Sequence, residues 1–235
     1  KTLNNMKKPL VSVLMSAHND ESHISNAIDS ILNQTYSNFE FLIIDDFSQD
    51  RTLEILTRYK DNRIQIFKNK ENIGLTKSLN ILIDHASGDL IARQDSDDQS
   101  KKNRFESQIN YMIKENLDAC TTKAESKQTK KIIPGISFYL NPKLVIKFKN
   151  PFIHGSLIIK KETLIKLGKY NSEFYYAQDF KLLSDLQNSN MNIKILNDVL
   201  YILNQENNIS SHFKEEQKYF KNIVLKDNRR LDNLF

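Results

Sequence analysis

Tryptophan is absent from this 235-residue chain, and cysteine, proline and glycine number only one, four and five. Each shortage excludes something. A lone cysteine, Cys120, cannot close an internal disulfide, which fits a reducing cytoplasm. So few glycines leave no glycine-rich nucleotide loop: GxGxxG does not occur, and NIGLTKS (72–78) lacks the Gly-Lys pair of a P-loop. Any nucleotide bound here is held by other means. Long hydrophobic runs are missing too. VSVLM and FEFLII are strand-length, far short of the ~20 residues of a membrane-spanning helix. The opening KTLNNMKKPL has a basic flank without an apolar stretch of signal-peptide length, which argues against secretion. Nor does one sign of charge dominate. The net charge is +5, spread along the chain, with no Lys/Arg stripe interleaved with aromatics, so no nucleic-acid partner is expected.

What is present suits a soluble globular protein: 39% hydrophobic and 27% charged residues, in a chain long enough for a sizeable core. The first half alternates two periodicities. Strand patterns at LVSVLMS (10–16), FEFLIID (39–45), RIQIFKN (63–69) and DLIARQD (89–95) enclose helical patterns at 21–34, 49–59 and from Leu75 to Ala86. That succession predicts an α/β fold with a mostly parallel sheet, helices on both faces, and ligands beyond the carboxyl ends of the strands. The second half is less regular. It reads as a helix over 101–116, an exposed hairpin or loop at KAESKQTKK (123–131), a short helix near 142–149 and a strand at GSLIIK (155–160). A helix over 178–188, strands near NIKIL and LYIL, and a basic helix from Ser211 follow. The expected organisation is one domain over 1–210 and a C-terminal amphipathic helix over 211–235. Phe213, Phe220, Val224 and Leu231 lie on one stripe of that helix, which would pack on the domain, mediate a homodimer or lie on a membrane.

Three predicted strand ends deliver polar groups to one edge. RQDSDDQ (93–99) crowds Asp95, Asp97 and Asp98 behind the fourth strand. Hard carboxylate oxygens suit Mg²⁺ or Mn²⁺, but the same run serves equally as an acidic cap for the helix near Lys101. Gln99 and Ser100 count against an EF-hand. Asp45 and Asp46 could accept a hydrogen bond from a nucleobase or simply form an Asp-rich turn. In SAHND (16–20), His18 and Asn19 offer a stacking ring and an amide, or cap the following helix. Asp179 in AQDFKLLSDL is, by local pattern alone, better placed as a helix cap than as a base.

The order of these pieces resembles the family 2 glycosyltransferases. PLVSVLMSAHNDESHISNAIDSILNQTYSNFEFLIIDDFSQDRT is similar to that family's opening, and the likeness continues through ENIGLTKSLNILIDHASGDLIARQDSDD, NRFESQINYM, NPFIHGSLIIKK, LGKYNSEF and YAQDFKLLSDL, covering roughly 9–210. The resemblance implies a GT-A fold, a nucleotide-sugar donor, Mn²⁺ or Mg²⁺, and inverting transfer to a hydroxyl of a glycan or lipid-linked acceptor, on the cytoplasmic side or peripheral to the membrane's inner face. Carried over by position, Ala17, His18, Asn19 and Asp46 line the base pocket, and Lys77, Arg93 and Asp95 contact the rest of the donor. Asp97 ligates the metal, Asp179 is the general base, and His154 lies on the acceptor side. One stretch departs. ILNQENNIS (202–210) carries Leu203 and Gln205 where the family commonly has Arg and His, so Gln205 is at best a weak metal ligand. Arg104 fits a structural salt bridge. The rival readings are a sugar nucleotidyltransferase, whose glycine- and Lys/Arg-rich loop SAHNDES lacks, and a non-catalytic nucleotide-sugar-binding scaffold.

Overall fold

The computed structural model describes residues 8–206 and 213–232. Nine strands form one sheet: β1 (Val11–Ala17), β2 (Phe39–Asp45), β3 (Ile64–Lys68), β4 (Leu90–Arg93), β5 (Gln99–Ser100), β6 (Ala119–Ser126), β7 (Ile132–Ile133), β8 (Ile158–Lys160) and β9 (Ile193–Leu203). Their order is β3-β2-β1-β4-β8-β6-β9-β5, with β7 beside β6. Parallel pairing joins β3, β2, β1 and β4, and β8 then enters antiparallel. The second reversal, between β8 and β6, turns β6 and its parallel neighbour β9 back into the direction of β1. Six of the nine strands therefore run the same way, and β5, β7 and β8 run against them.

Two-residue periodicity assigns the strand side chains to two cores. Val11, Val13 and Met15 of β1, with Phe39, Phe41 and Ile43 of β2, pack on helices α1 (Ile24–Leu32), α2 (Thr52–Arg58) and α4 (Arg104–Lys114). Leu14 of β1, with Leu42 and Ile44 of β2, faces α3 (Leu75–His85), α6 (Lys161–Lys166) and α7 (Gln178–Asn188). A helical turn, α5 (Pro142–Val145), precedes β8 in the chain. The terminal helix α8 (Lys214–Asp232) packs on the domain: Val224 is buried in the second core, Asn188 Nδ2 donates to Asn228 Oδ1 at 2.9 Å, and Phe220 stacks on Phe174. Ser211 and the side chain of Leu231, in the tail pattern, lie outside the described residues.

The second half differs from its sequence pattern in two places. KAESKQTKK does form the expected hairpin, β6 turning back antiparallel into β7, but its first arm is the end of a long strand that the lysines conceal because Lys123 and Glu125 alternate with buried Ala124 and Ser126. NIKIL and LYIL are one strand, β9, whose register against β6 shifts at Thr122 to Ala124. A bulge of that kind keeps an irregular stretch in the ladder.

Candidate active site

The carboxyl ends of β1, β2 and β4 lie side by side, so the three polar stretches that follow them share one edge. Asp46 N–H donates to Ala17 O at 2.8 Å, and Gln94 N–H to Leu14 O at 3.1 Å. His18 is exposed, with Nδ1 2.8 Å from Asp46 O and Nε2 3.1 Å from the amides of Asn19 and Asn72. With the proton on Nδ1, every edge of the ring is engaged, and its faces are what a planar ligand would meet. Asn19, at φ 52°, accepts from Gln49 N–H at 2.7 Å and so ties the two loops together.

Asp46 is buried and already hydrogen-bonded. Its Oδ1 accepts from Asn69 Nδ2 at 2.8 Å and Ile73 N–H at 3.0 Å, and its Oδ2 accepts from Gly74 N–H at 2.9 Å. The carboxylate thus holds the Asn72–Gly74 turn in front of α3. Gly74 needs φ +84°, and a Cβ there would lie 2.8 Å from the Tyr175 ring. The positive φ is what requires glycine, since the exposed Tyr175 ring can swing aside. Lys77 is exposed in the first turn of the helix that this turn begins.

The aspartate cluster divides into three environments. Arg93 is fully buried. Its guanidinium donates to Leu14 O at 2.7 Å and pairs with Asp95, so its charge reaches a ligand through Asp95 rather than directly. Asp98 is buried and accepts from Asn204 N–H at 2.6 Å, clamping the end of β9 to the loop; burial first, then Asp95 and Asp97, raise its pKa well above normal. Asp97 has no ion-pair partner among the described residues. Burial pushes its carboxyl up to about 7, and the neighbouring charges of Asp95 and Asp20 push in the same direction. Asp20 was not singled out from sequence. Its Oδ1 lies 2.7 Å from His23 Nδ1, and its buried Oδ2 has no partner. The only signal for it is its place in SAHND.

Several carboxylates gathered with so little cationic compensation suit a divalent ion. No three His, Cys, Asp or Glu side chains form a metal cage among the described residues. Asp97 and its neighbours could thus supply only part of an ion's shell, and water or phosphate oxygens would have to supply the rest. Gln205 is exposed just past β9, its N–H donating to Gln128 Oε1 at 3.0 Å.

On the far side of Asp95 lie His154, Tyr170 and Asp179. Asp179 is the second residue of α7, whose cap position is Ala177 with no side-chain capping bond, so the helix-cap alternative fails. Instead Asp179 Oδ2 accepts from Asn150 Nδ2 at 2.8 Å. His154 Nε2 lies 2.7 Å from the Tyr170 hydroxyl. Burial and then the Arg93 charge lower its pKa to about 4, while Asp179 and Asp95 pull the other way, which puts all four groups within electrostatic reach. Sequence reasoning passed over Asn150 and Tyr170, although both stand in stretches that carried the resemblance, NPFIH and LGKY. Arg104 makes no carboxylate salt bridge among the described residues. It is buried and donates to Gly155 O and Arg93 O at 2.9 Å, with burial holding its pKa down at about 10. The ends of strand and turn that frame the site lacked carbonyl partners, and the guanidinium satisfies them.

The family description "Glycosyl transferase family 2" matches residues 12–173. The chain belongs to glycosyl transferase family 2. A relative from Haemophilus influenzae, an uncharacterized glycosyltransferase, is 35% identical over 195 residues, which cover 76% of this chain and 60% of that protein. The chain spans about three-fifths of the length of the first curated relatives it matches. WfgD of Escherichia coli, a UDP-Glc:alpha-D-GlcNAc-diphosphoundecaprenol beta-1,3-glucosyltransferase, is 32% identical over 211 residues, covering 88% of this chain and 82% of WfgD. Among solved structures, S. aureus TarS 1–349 with UDP-GlcNAc superposes with TM-score 0.77 at 20% identity, covering 91% of this chain and 65% of that one. Mannosyltransferase PcManGT from Pyrobaculum calidifontis, with GDP-Man and Mn²⁺, gives 0.72 at 18%, covering 91% and 62%. At those identities the likeness fixes the fold, which is GT-A.

Proposed function

We propose that this chain transfers a sugar, with inversion, from a UDP-sugar to a hydroxyl of a glycan or lipid-linked acceptor in cell-surface polysaccharide synthesis. The observation that carries this reading is that two carboxylates approach one turn: a Cβ on Gly155 would lie 2.6 Å from Asp95 Oδ2, and the neighbouring His154 feels the charge of both Asp95 and Asp179, the latter in the first turn of α7. The names of WfgD and TarS supply the UDP donor, and WfgD the lipid diphosphate acceptor.

Ala17, His18 and Asn19 receive the base, while Asp46 acts chiefly by shaping the turn beside it. Lys77 faces the diphosphate, and Asp95, oriented by Arg93, takes the ribose and sugar hydroxyls. Asp97 holds a divalent cation, Mn²⁺ or Mg²⁺, with Gln205 as a weak further ligand. When bound, that ion offsets the negative charge developing on the departing diphosphate. Asp179 accepts the acceptor hydroxyl proton as its oxygen bonds to the anomeric carbon and the sugar–phosphate bond breaks on the opposite face. Such a positioned base contributes about 10²–10⁴-fold. His154, kept neutral, orders the acceptor side through Tyr170.

The test is diphosphate release with Mn²⁺ and a panel of UDP-, GDP- and dTDP-sugars, alongside thermal shift, for wild type, Asp97→Asn and Asp179→Asn. Metal-dependent UDP binding lost only in the Asp97 variant, with turnover lost in both, supports the proposal. Tight donor binding without turnover on any acceptor sinks it in favour of the scaffold, a reading to which Leu203 and Gln205 lend weight.

A further inference from the structure

Between β6 and the site lies a segment whose composition the whole-chain average hides. Residues 127–149 hold six lysines (127, 130, 131, 143, 147, 149) and no acid. Since the chain has 34 basic and 29 acidic residues, everything outside this segment carries 28 and 29. The protein's entire positive excess is therefore concentrated in 23 consecutive residues. All six lysines are exposed, and Lys130 pairs with Glu125 at 3.5 Å.

The apolar residues of the same segment divide into two sets. Val145 and Ile146 are buried, and Phe138 packs against the core with Lys123 Nζ 3.8 Å from its ring centre. These anchor the segment. Ile136, Tyr139, Leu140, Leu144 and Phe148 point outward, with Ile136 85%, Tyr139 80% and Phe148 71% exposed. Single exposed hydrophobics are ordinary, but five large ones within 13 residues form a patch that water does not favour. The segment ends at Asn150, whose amide holds Asp179.

We propose that residues 127–149 are a membrane-docking surface that seats this protein on an anionic lipid bilayer. Outward Ile, Leu, Tyr and Phe enter the headgroup boundary while the flanking lysines meet anionic phosphates, the pairing of chemistry that peripheral lipid binding uses. Lysine charge alone would suit any polyanion. The aliphatic Ile136, Leu140 and Leu144 distinguish a bilayer from one, since phosphate groups alone give those side chains nothing to bury against. No helix among the described residues is long and apolar enough to cross a membrane, so attachment of this part of the chain is by its surface. The site beside Asn150 then opens next to the lipid, where an acceptor on a lipid diphosphate would present its sugar.

The test is vesicle flotation without donor or acceptor, so it stands or falls apart from the transfer reaction. Phosphatidylcholine vesicles are compared with vesicles containing about 30% phosphatidylglycerol, at low and high salt. Wild type should float with the anionic vesicles and release as salt rises. Ile136→Ser/Leu144→Ser/Phe148→Ser should lose at least about tenfold in partitioning, with its circular dichroism and Tm unchanged. Lys131→Gln/Lys143→Gln/Lys149→Gln should lose the preference for anionic lipid. If the triple apolar variant misfolds, Ile136→Ser alone, at the most exposed position, serves as the readout. Equal floating on neutral vesicles, no floating at all, or apolar variants that float like wild type overturn the proposal. A dimer in light scattering that the apolar variant abolishes, without vesicle binding, overturns it in favour of a second copy.

Discussion

Asn150 Nδ2 donates to Asp179 Oδ2 at 2.8 Å, joining the end of an exposed lysine-rich segment to the first turn of α7. That bond orients the carboxylate proposed above to take the substrate proton. Asp179→Asn should lower kcat by about 10²–10⁴-fold with the donor KM little changed. Asn150→Ala should lower kcat less, about tenfold, because the base survives but is no longer aimed. Steady-state kinetics on both variants checks the order; equal losses, or a loss confined to KM, would contradict it.

Asp46 is expected to matter more for stability than its place in a binding pocket implies. Asp46→Ala removes the acceptor of Ile73 N–H and of one Asn69 Nδ2 proton, while Gly74 N–H keeps Asn72 Oδ1 at 3.1 Å and the other Asn69 proton keeps Ser78 Oγ at 2.9 Å. With about 1–3 kcal/mol for each of the two groups left unpaired, one of them buried and one nearer the surface, a loss of roughly 2–4 kcal/mol follows. For a chain of this size that is a Tm drop of roughly 5–10 °C. Calorimetry on the variant measures it, and donor affinity should fall together with it as the Asn72–Gly74 turn loosens.

Gly155 is a spacing residue. A Cβ there would lie 2.6 Å from Asp95 Oδ2 and 2.8 Å from Tyr201 Cζ. Neither neighbour yields easily: Tyr201 is fully buried, its hydroxyl accepts from Asp95 N–H at 3.1 Å, and Asp95 pairs with Arg93. Gly155→Ala should cost about 1–3 kcal/mol by overpacking and displace Asp95, raising the donor KM. Urea unfolding and donor titration read the two effects separately; an unchanged KM would show that Asp95 is not where the donor binds.

His154 gives stability a dependence on pH. Its folded pKa is about 4, lowered by burial and Arg93, against an ordinary value near 6.5. Below that ordinary value the unfolded chain binds a proton that the folded chain refuses, so stability falls as pH drops from about 6.5 toward 4. The ring keeps a partly exposed edge, which limits the loss to about 1 kcal/mol by pH 5. In urea midpoints at pH 7.5 and 5, His154→Gln should show a smaller drop than wild type. An identical drop in both would place the linkage elsewhere.

Where apolar residues run in compact strand-length stretches or at helical spacing, sequence was enough. LVSVLMS and FEFLIID became β1 and β2, and the helix over 178–188 was found to the residue, because its apolar positions repeat at helical spacing. Lysine and glutamate at the solvent-facing positions of β6 hid a strand whose alternate residues are small and buried. Arg104 was misjudged because whether an arginine meets a carboxylate or bare carbonyls depends on which turns the fold places around it.

The sequence by itself determined the order of strands and helices, and with it that SAHND, DDFSQD and RQDSDD would emerge at one sheet edge. Parallel strands joined by helices bring their carboxyl ends together whatever the surface residues are. Only the tertiary structure decided how the acids there divide. Asp46 is held by the Asn72–Gly74 turn, Asp95 by buried Arg93, Asp98 by the end of β9, and Asp97 has no ion-pair partner among the described residues. Those fates depend on partners 2 to 106 positions away in the chain, and no local pattern records them.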